Sequence, residues 1–178
     1  EGEVSTGEQN RIVKALLKTF AQSGVPVPGL GLTAHKYMRH GRGMGSSGAA
    51  VVASIMAAKG LLEGVVEFSS EKLLELATDL EGHPDNVAPA LFGGLTIAWQ
   101  DQAGPKYKKL YVHRGVSPLL LVPKNQMSTE LARSLQPETV PYDDAVFNLS
   151  RSALLIAALT QSPELLLAAT EDKLHQNY

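Results

Sequence analysis

His40-Gly41-Arg42-Gly43-Met44-Gly45-Ser46-Ser47-Gly48-Ala49-Ala50 runs straight into Val51-Val52-Ala53-Ser54-Ile55-Met56-Ala57-Ala58, a glycine-rich loop opening an apolar, alanine-rich helix. Glycines let successive backbone N–H groups turn toward one point, and a helix N-terminus adds unsatisfied donors and the positive end of its dipole. Phosphate is the expected guest. The Walker pattern needs Lys directly before its Ser/Thr, and the dinucleotide fingerprint needs Gly-x-Gly-x-x-Gly with a downstream acid; neither is present. Ser46 and Ser47 stand at the loop-to-helix junction, where a hydroxyl reaches a phosphate oxygen or a magnesium ion, or caps the helix. One cap needs one hydroxyl and not three flanking glycines, so the phosphate role is favoured. Arg42 is either a phosphate contact or a solvated residue, and the Met44 side chain reads as packing.

Outward from this loop the pattern mixes both periodicities. Thr6 can cap a helix over 8–22, with Ile12, Val13, Leu16, Leu17 and Phe20 at helical spacing and Ser23-Gly24 ending it. Leu30, Leu32 and Ala34 alternate as a strand that delivers the chain to the glycine loop. Ser69 or Ser70 can cap a helix through Leu80, after which Gly82-His83-Pro84 breaks the chain and Pro84 starts another helix to Leu91. Strands are expected over Leu95 to Trp99, Tyr107 to His113 and Pro118 to Val122, with a loop from Gln100 to Lys106 between the first two. Helices follow over 128–135, from Asp143 or Asp144 through Leu159, and from Ser162-Pro163 to Ala169.

Composition narrows the class. At 44% hydrophobic and 19% charged, 178 residues suffice for a real core. A net charge of -2 gives no basic footprint, which argues against nucleic acid or an anionic membrane as the main partner and for a small molecule. Cysteine is absent, so thiolate metal sites are excluded and cysteine cannot report the compartment; the cytoplasm is the default. No apolar run approaches a membrane span, and Glu1-Gly2-Glu3 lacks the layout of a secretory signal.

A second cluster is Glu75 followed by Glu81-Gly82-His83-Pro84-Asp85-Asn86. Magnesium needs few protein ligands beside substrate phosphates, so one well-placed carboxylate is enough, and Glu75 or Asp85 can supply it; the alternative for Glu75 is a solvated helix face. His83 is more readily a structural donor than a base. Asn86 is a cap or a holder of a substrate hydroxyl. Thr129 and Arg133 share a helix face at i and i+4, and arginine there is either a carboxylate fork, suited to an amino-acid substrate, or an ordinary surface residue; Asn148 and Arg151 lie further on.

Gly-x-Gly-Ser-Ser-x-Ala-Ala resembles the second signature motif of the GHMP small-molecule kinases, and 81–90 with Gly93-Gly94 resembles their homoserine kinase branch. Phe147-Asn148-Leu149-Ser150-Arg151 and Asp172-Lys173-Leu174-His175-Gln176 extend the likeness toward the C-terminus. The resemblance implies an α+β, two-domain GHMP-kinase fold, with 1–100 the remainder of the N-terminal nucleotide-binding domain and 101–178 the start of the C-terminal one. It implies transfer of the ATP γ-phosphoryl to the side-chain hydroxyl of L-homoserine, in threonine biosynthesis. His40, Gly41, Arg42, Gly43, Met44, Gly45, Ser46 and Ser47 would surround the nucleotide phosphates, with Mg2+ on Ser47 and Glu75. His83, Asp85, Asn86, Thr129 and Arg133 would meet the substrate. The branch is thought to lack a carboxylate base, which leaves Asn86 to hold the hydroxyl, with Ser47 and Glu75 as the other catalytic positions. A homodimer is compatible with this reading.

The chain departs from the family pattern at Arg39, usually Pro, at Met44, commonly Leu, and at Gly48, commonly Ala or Ser. The family's Pro-x-Ser-x-Asn-Leu-Gly-x-Gly-Phe-Asp motif and its C-terminal glycine-rich motif do not occur in it. The expectation is therefore an internal fragment of a larger protein, inactive by itself. Two rival readings are a GHMP kinase for another alcohol, which would carry an acidic base near Asn86, and a non-catalytic ATP-binding module.

Overall fold

A computed structural model of the chain describes residues 7–35, 37–38, 43–122, 124 and 129–176, and at 129, 130 and 133 the backbone alone. Two compact units emerge, one of the residues up to 40 with Met44–Lys109 and the other of 41–43 with the residues from Leu110 onward.

In the first unit, a single 3-10 turn (Gly7–Gln9) leads into α1 (Arg11–Ser23). The expected Thr6 cap lies outside the described residues, and the N-cap of α1 is Asn10, whose side chain accepts the Ile12 N–H at 2.8 Å. Gly24 ends the helix in the left-handed conformation, as the Ser23-Gly24 pair predicts. Helix α2 (Ser46–Leu61) follows the glycine loop, α3 (Ser70–Glu81) starts on a Ser69 cap that accepts the Lys72 N–H, and α4 (Pro84–Phe92) carries Pro84 at its first position.

Helix α2 has apolar residues on every side, and such a helix is stable only when surrounded. It packs against α1, α3 and α4, burying Val51, Val52, Ile55 and Ala58 among Ala15, Leu16, Phe20, Leu73, Leu74, Leu76 and Val87. The glycine loop is thereby attached to the helix that α1, α3 and α4 all pack against.

Strands β1 (Leu95–Asp101) and β2 (Gly104–Leu110) form a hairpin. Its turn is tighter than the expected Gln100 to Lys106 loop because Asp101 Oδ1 accepts the Ala103 N–H at 2.8 Å and Gly104 takes φ +106°. The rings of Phe92 and Tyr107 stack at 3.8 Å between centroids, and Lys109 Nζ donates to the Phe92 carbonyl at 2.6 Å, fastening β2 to the end of α4.

Two expected strands are corrected. Residues 30–34 and 118–122 are irregular and exposed, with Leu119 and Leu121 more than four-fifths accessible. A strand needs a partner, and among the described residues only β1 and β2 pair. The strand expected over Tyr107 to His113 lies earlier, at Gly104–Leu110, where the tight turn sets its register.

In the second unit α5 (Thr129–Ser134) is short, and α6 (Tyr142–Thr160) begins on Pro141, with Asp143 and Asp144 in its first turn rather than at its cap. A 3-10 turn (Pro163–Leu165) runs into α7 (Leu166–Ala169), which packs back on α6. Among the described residues of this unit only Ala158 and Ala169 are fully buried, so polar contacts carry much of its order. Asn148 is central: its Oδ1 accepts the Lys173 N–H at 2.9 Å and its Nδ2 donates to Asp172 at 2.5 Å. Asp172 also accepts the backbone N–H groups of Leu174, His175 and Gln176. Arg151 pairs with Glu171 at 2.7 Å and lies over the Phe147 ring. The two late sequence motifs, 147–151 and 172–176, are thus two halves of one contact. Among the described residues no helix is long and apolar enough to cross a membrane.

Candidate active site

The site grows from the two helix N-termini that meet in the first unit. Gly45 is the N-cap of α2 at φ +65°, ψ +27°, with no side-chain cap, and Gly43 is also left-handed at φ +70°. Neither Ser46 nor Ser47 caps the helix. Ala49 makes the first intrahelical bond, to the Gly45 carbonyl at 3.0 Å, which marks Gly45 to Gly48 as the start of α2. No acidic side chain stands in that turn.

Helix α4 begins against this end. A Cβ built on Gly45 would lie 3.4 Å from Asn86 Oδ1, and one on Gly48 would lie 3.3 Å from Asn86 Cβ and 3.4 Å from Val87 Cγ1. Asn86 thus stands against the loop at Gly45 and Gly48. An open groove of about 550 Å3 lies here, lined by Met38, Met44, Gly45, Ala53, Asn86 and Pro89 among others. At the α4 N-terminus Asp85 Oδ1 accepts the Asn86 N–H at 2.8 Å and pairs with His83 Nδ1. His83 and Asp85 therefore hold each other, and Asp85 also fixes the Asn86 backbone N–H.

The Ser47 hydroxyl donates to Glu81 Oε2 at 3.0 Å, and Arg11 Nη1 donates both to the same carboxylate oxygen at 3.0 Å and to Ser47 Oγ. The Glu81 side chain is only 8% exposed. Glu75, expected beside Ser47, forms an exposed pair with Lys72 at 3.1 Å. Six helical positions separate Glu75 from Glu81, about 9 Å of rise and a different face of α3. Arg11 gave no signal in the sequence, because its partners stand 36 and 70 positions away.

Of the expected nucleotide-binding residues, Gly43, Met44, Gly45, Ser46 and Ser47 fall on the loop and helix start, while His40, Gly41 and Arg42 lie outside the described residues. His83, Asp85 and Asn86 are brought to the α4 N-terminus. Thr129 and Arg133 belong to α5 in the second unit, and their side chains lie outside the described residues.

The arrangement fits a phosphorylated ligand: a glycine at the helix N-cap, two left-handed glycines in the loop that leads into it, and the Ser47 hydroxyl in the first turn. Among the described residues no three His, Cys, Asp or Glu side chains gather at one point.

Residues 10–94 match the family described as GHMP kinases N terminal domain. Over these residues the chain is similar to the N-terminal domain of the GHMP kinases. Curated relatives extend the similarity to its full length: it is 68% identical over 178 residues to the homoserine kinase of Leifsonia xyli subsp. xyli and 69% identical over 177 residues to that of Clavibacter michiganensis subsp. michiganensis. These alignments cover 100% and 99% of the chain, but 55% and 56% of the relatives, so the chain spans about half their length. The crystal structure of homoserine kinase from Cytophaga hutchinsonii superposes with a TM-score of 0.78 at 25% identity, over 99% of this chain and 57% of that one. The mixed helix and strand architecture is thus that of a GHMP kinase, and the cradle, α2 and the start of α4 all fall inside the matched domain.

Proposed function

We propose that the whole protein is a homoserine kinase that transfers the γ-phosphoryl group of ATP to the side-chain hydroxyl of L-homoserine, giving O-phospho-L-homoserine and ADP. The observation that carries this reading is the approach of Asn86 to Gly45 and Gly48, which sets a hydroxyl-holding amide against the phosphate cradle. Residues 1–100 are assigned to the nucleotide-binding domain and 101–178 to the start of the following one. The cytoplasm is the proposed compartment.

ATP, when bound with Mg2+, supplies the phosphoryl group and the charge neutralisation that phosphoryl transfer needs. This chain's residues do the placing. The N–H groups of Gly43 to Ser47 would cradle phosphate oxygens and Ser47 would offer an oxygen to the metal; Glu75, the other ligand the resemblance implies, would have to leave its Lys72 pair and its own face of α3 to join it. Asn86, steadied by Asp85 and His83, holds the homoserine hydroxyl in line. Thr129 and Arg133 meet the substrate carboxylate. The reaction joins the homoserine oxygen to phosphorus, breaks the bond from phosphorus to the ADP oxygen and releases the hydroxyl proton. A loose transition state requires little basicity of the chain, so orientation and the fixed dipoles of the loop carry the catalysis.

Asn86→Ala in the full-length protein is expected to lower kcat about a hundredfold while ATP affinity stays within about twofold of wild type. Asn86→Asp, which introduces the acid used by other branches, is expected to be slower than wild type on homoserine. Unchanged kcat in Asn86→Ala would contradict the assignment, and so would collapse of ATP affinity alone.

A further inference from the structure

A serine hydroxyl has one hydrogen to give and two lone pairs to offer, and which of these faces a ligand decides what the ligand can be. Ser47 is held on two sides. Its hydrogen points to Glu81 Oε2 at 3.0 Å, and one lone pair receives the Arg11 Nη1 hydrogen. One lone pair remains. Glu81 ends α3 immediately before the left-handed Gly82, so its backbone position is fixed, and its side chain is almost entirely covered. Arg11 reaches over from the first turn of α1, bonds the same carboxylate oxygen at 3.0 Å and keeps more than half of its side chain in solvent.

We infer that Arg11 and Glu81 are positioning residues that fix the Ser47 hydroxyl as an acceptor, presenting a single lone pair to a divalent cation rather than a hydrogen to phosphate. The inference rests on the phosphotransfer reading of the cradle. Three features of the geometry require both members. Without Glu81, the hydroxyl rotor turns freely and its hydrogen can be given to the phosphates. Without Arg11, a covered carboxylate stands unneutralised beside a site for polyanions, where like charges repel. With both, the charge of Glu81 is taken up locally and the remaining donors of Arg11 stay at the mouth of the cradle. Glu81 and Arg11 touch no reacting atom in this arrangement, and they act through Ser47.

A double-mutant cycle on the full-length protein tests this, read as the affinity of a fluorescent ATP analogue with and without magnesium, and as kcat with homoserine. Ser47→Ala and Glu81→Ala are each expected to weaken magnesium-dependent nucleotide binding about tenfold, and the combined variant to be no more than about twofold worse than Ser47→Ala alone. Binding without magnesium is expected to change less than threefold in all three. Glu81→Gln, which keeps an acceptor and the packing, is expected to recover most of the loss and covers the case in which the alanine variant fails to fold. Arg11→Ala is expected to weaken the magnesium nucleotide, with Arg11→Lys restoring part of it. Multiplying losses in the double variant, or equal losses with and without magnesium, would show that Glu81 merely supports the fold and would overturn the inference. Wild-type protein that binds the magnesium nucleotide but does not phosphorylate homoserine would refute the substrate alone, and the binding cycle would still judge the pair. Wild-type protein that binds no nucleotide would refute both.

Discussion

Two glycines of α2 show how different the demands on one residue type are. Gly45 is left-handed, and an added Cβ would meet strain from the backbone as well as Asn86 at 3.4 Å. Gly60 sits in the last turn of the same helix with nothing within 4 Å of a built Cβ. Gly45→Ala is therefore expected to destabilise the protein by about 1–2 kcal/mol and to weaken nucleotide binding. Gly60→Ala is expected to stabilise it by about 0.5–1 kcal/mol and leave binding unchanged. Thermal unfolding with and without ATP separates the two, and equal effects would contradict the role given to Gly45. Thr78 offers a second contrast: it is 3% exposed and its hydroxyl has no partner among the described residues. Thr78→Val is expected to raise the unfolding midpoint, because removing an unsatisfied buried hydroxyl relieves about 1 kcal/mol or more; a lowered midpoint would mean the hydroxyl is satisfied.

Elements were legible where their signals are local. The glycine run followed by small apolar residues announces α2, Ser69 announces α3, Pro84 announces α4, and the structure carries all three. Residues 30–34, which alternate, and 118–122, an unbroken apolar run, misled because neither pattern supplies a neighbour, and a strand without a neighbour leaves its backbone to water. The pairing of Asn148 with Asp172 was equally out of reach, being a match between two irregularly spaced side chains 24 positions apart. Its consequence is measurable. The Asn148 and His175 side chains, followed by the backbone N–H groups of Gln176 and His175, hold the Asp172 carboxyl well below the usual aspartate range. A carboxyl lowered on folding contributes stability above its unfolded value, near 3.8, and loses it as pH falls through the folded value. Asp172→Asn is therefore expected to lower stability throughout the neutral range and to flatten the acid side of the stability curve below about pH 4. An acid limb identical to wild type in denaturant melts would contradict this anchoring.

On the scale of the molecule, the chain's sequence carried the class of chemistry further than it carried the geometry. A loop, a helix and the run Glu81 to Asn86 pointed to a kinase cradle because phosphate recognition is made of backbone and helix ends, which sequence motifs encode directly. How the side chains meet around Ser47 was not encoded that way: Glu75 and Glu81 look alike on one helix, and only the packing of α1, α2 and α3 brings Arg11 and Glu81 to that hydroxyl. The first unit buries a continuous core around α2, and α2 and Asn86 both stand on it, so in the proposed reaction the phosphate and the acceptor hydroxyl would share one rigid frame. Phosphoryl transfer without a strong base depends on such a frame more than on any single titrating group. The most direct measurement is ADP release by the full-length protein given ATP, magnesium and L-homoserine, with mevalonate, galactose and L-serine tested in parallel. Release with homoserine at a kcat/KM at least a hundredfold above each of the others is the predicted result. Preference for another of these alcohols, or no release with any, would contradict the account.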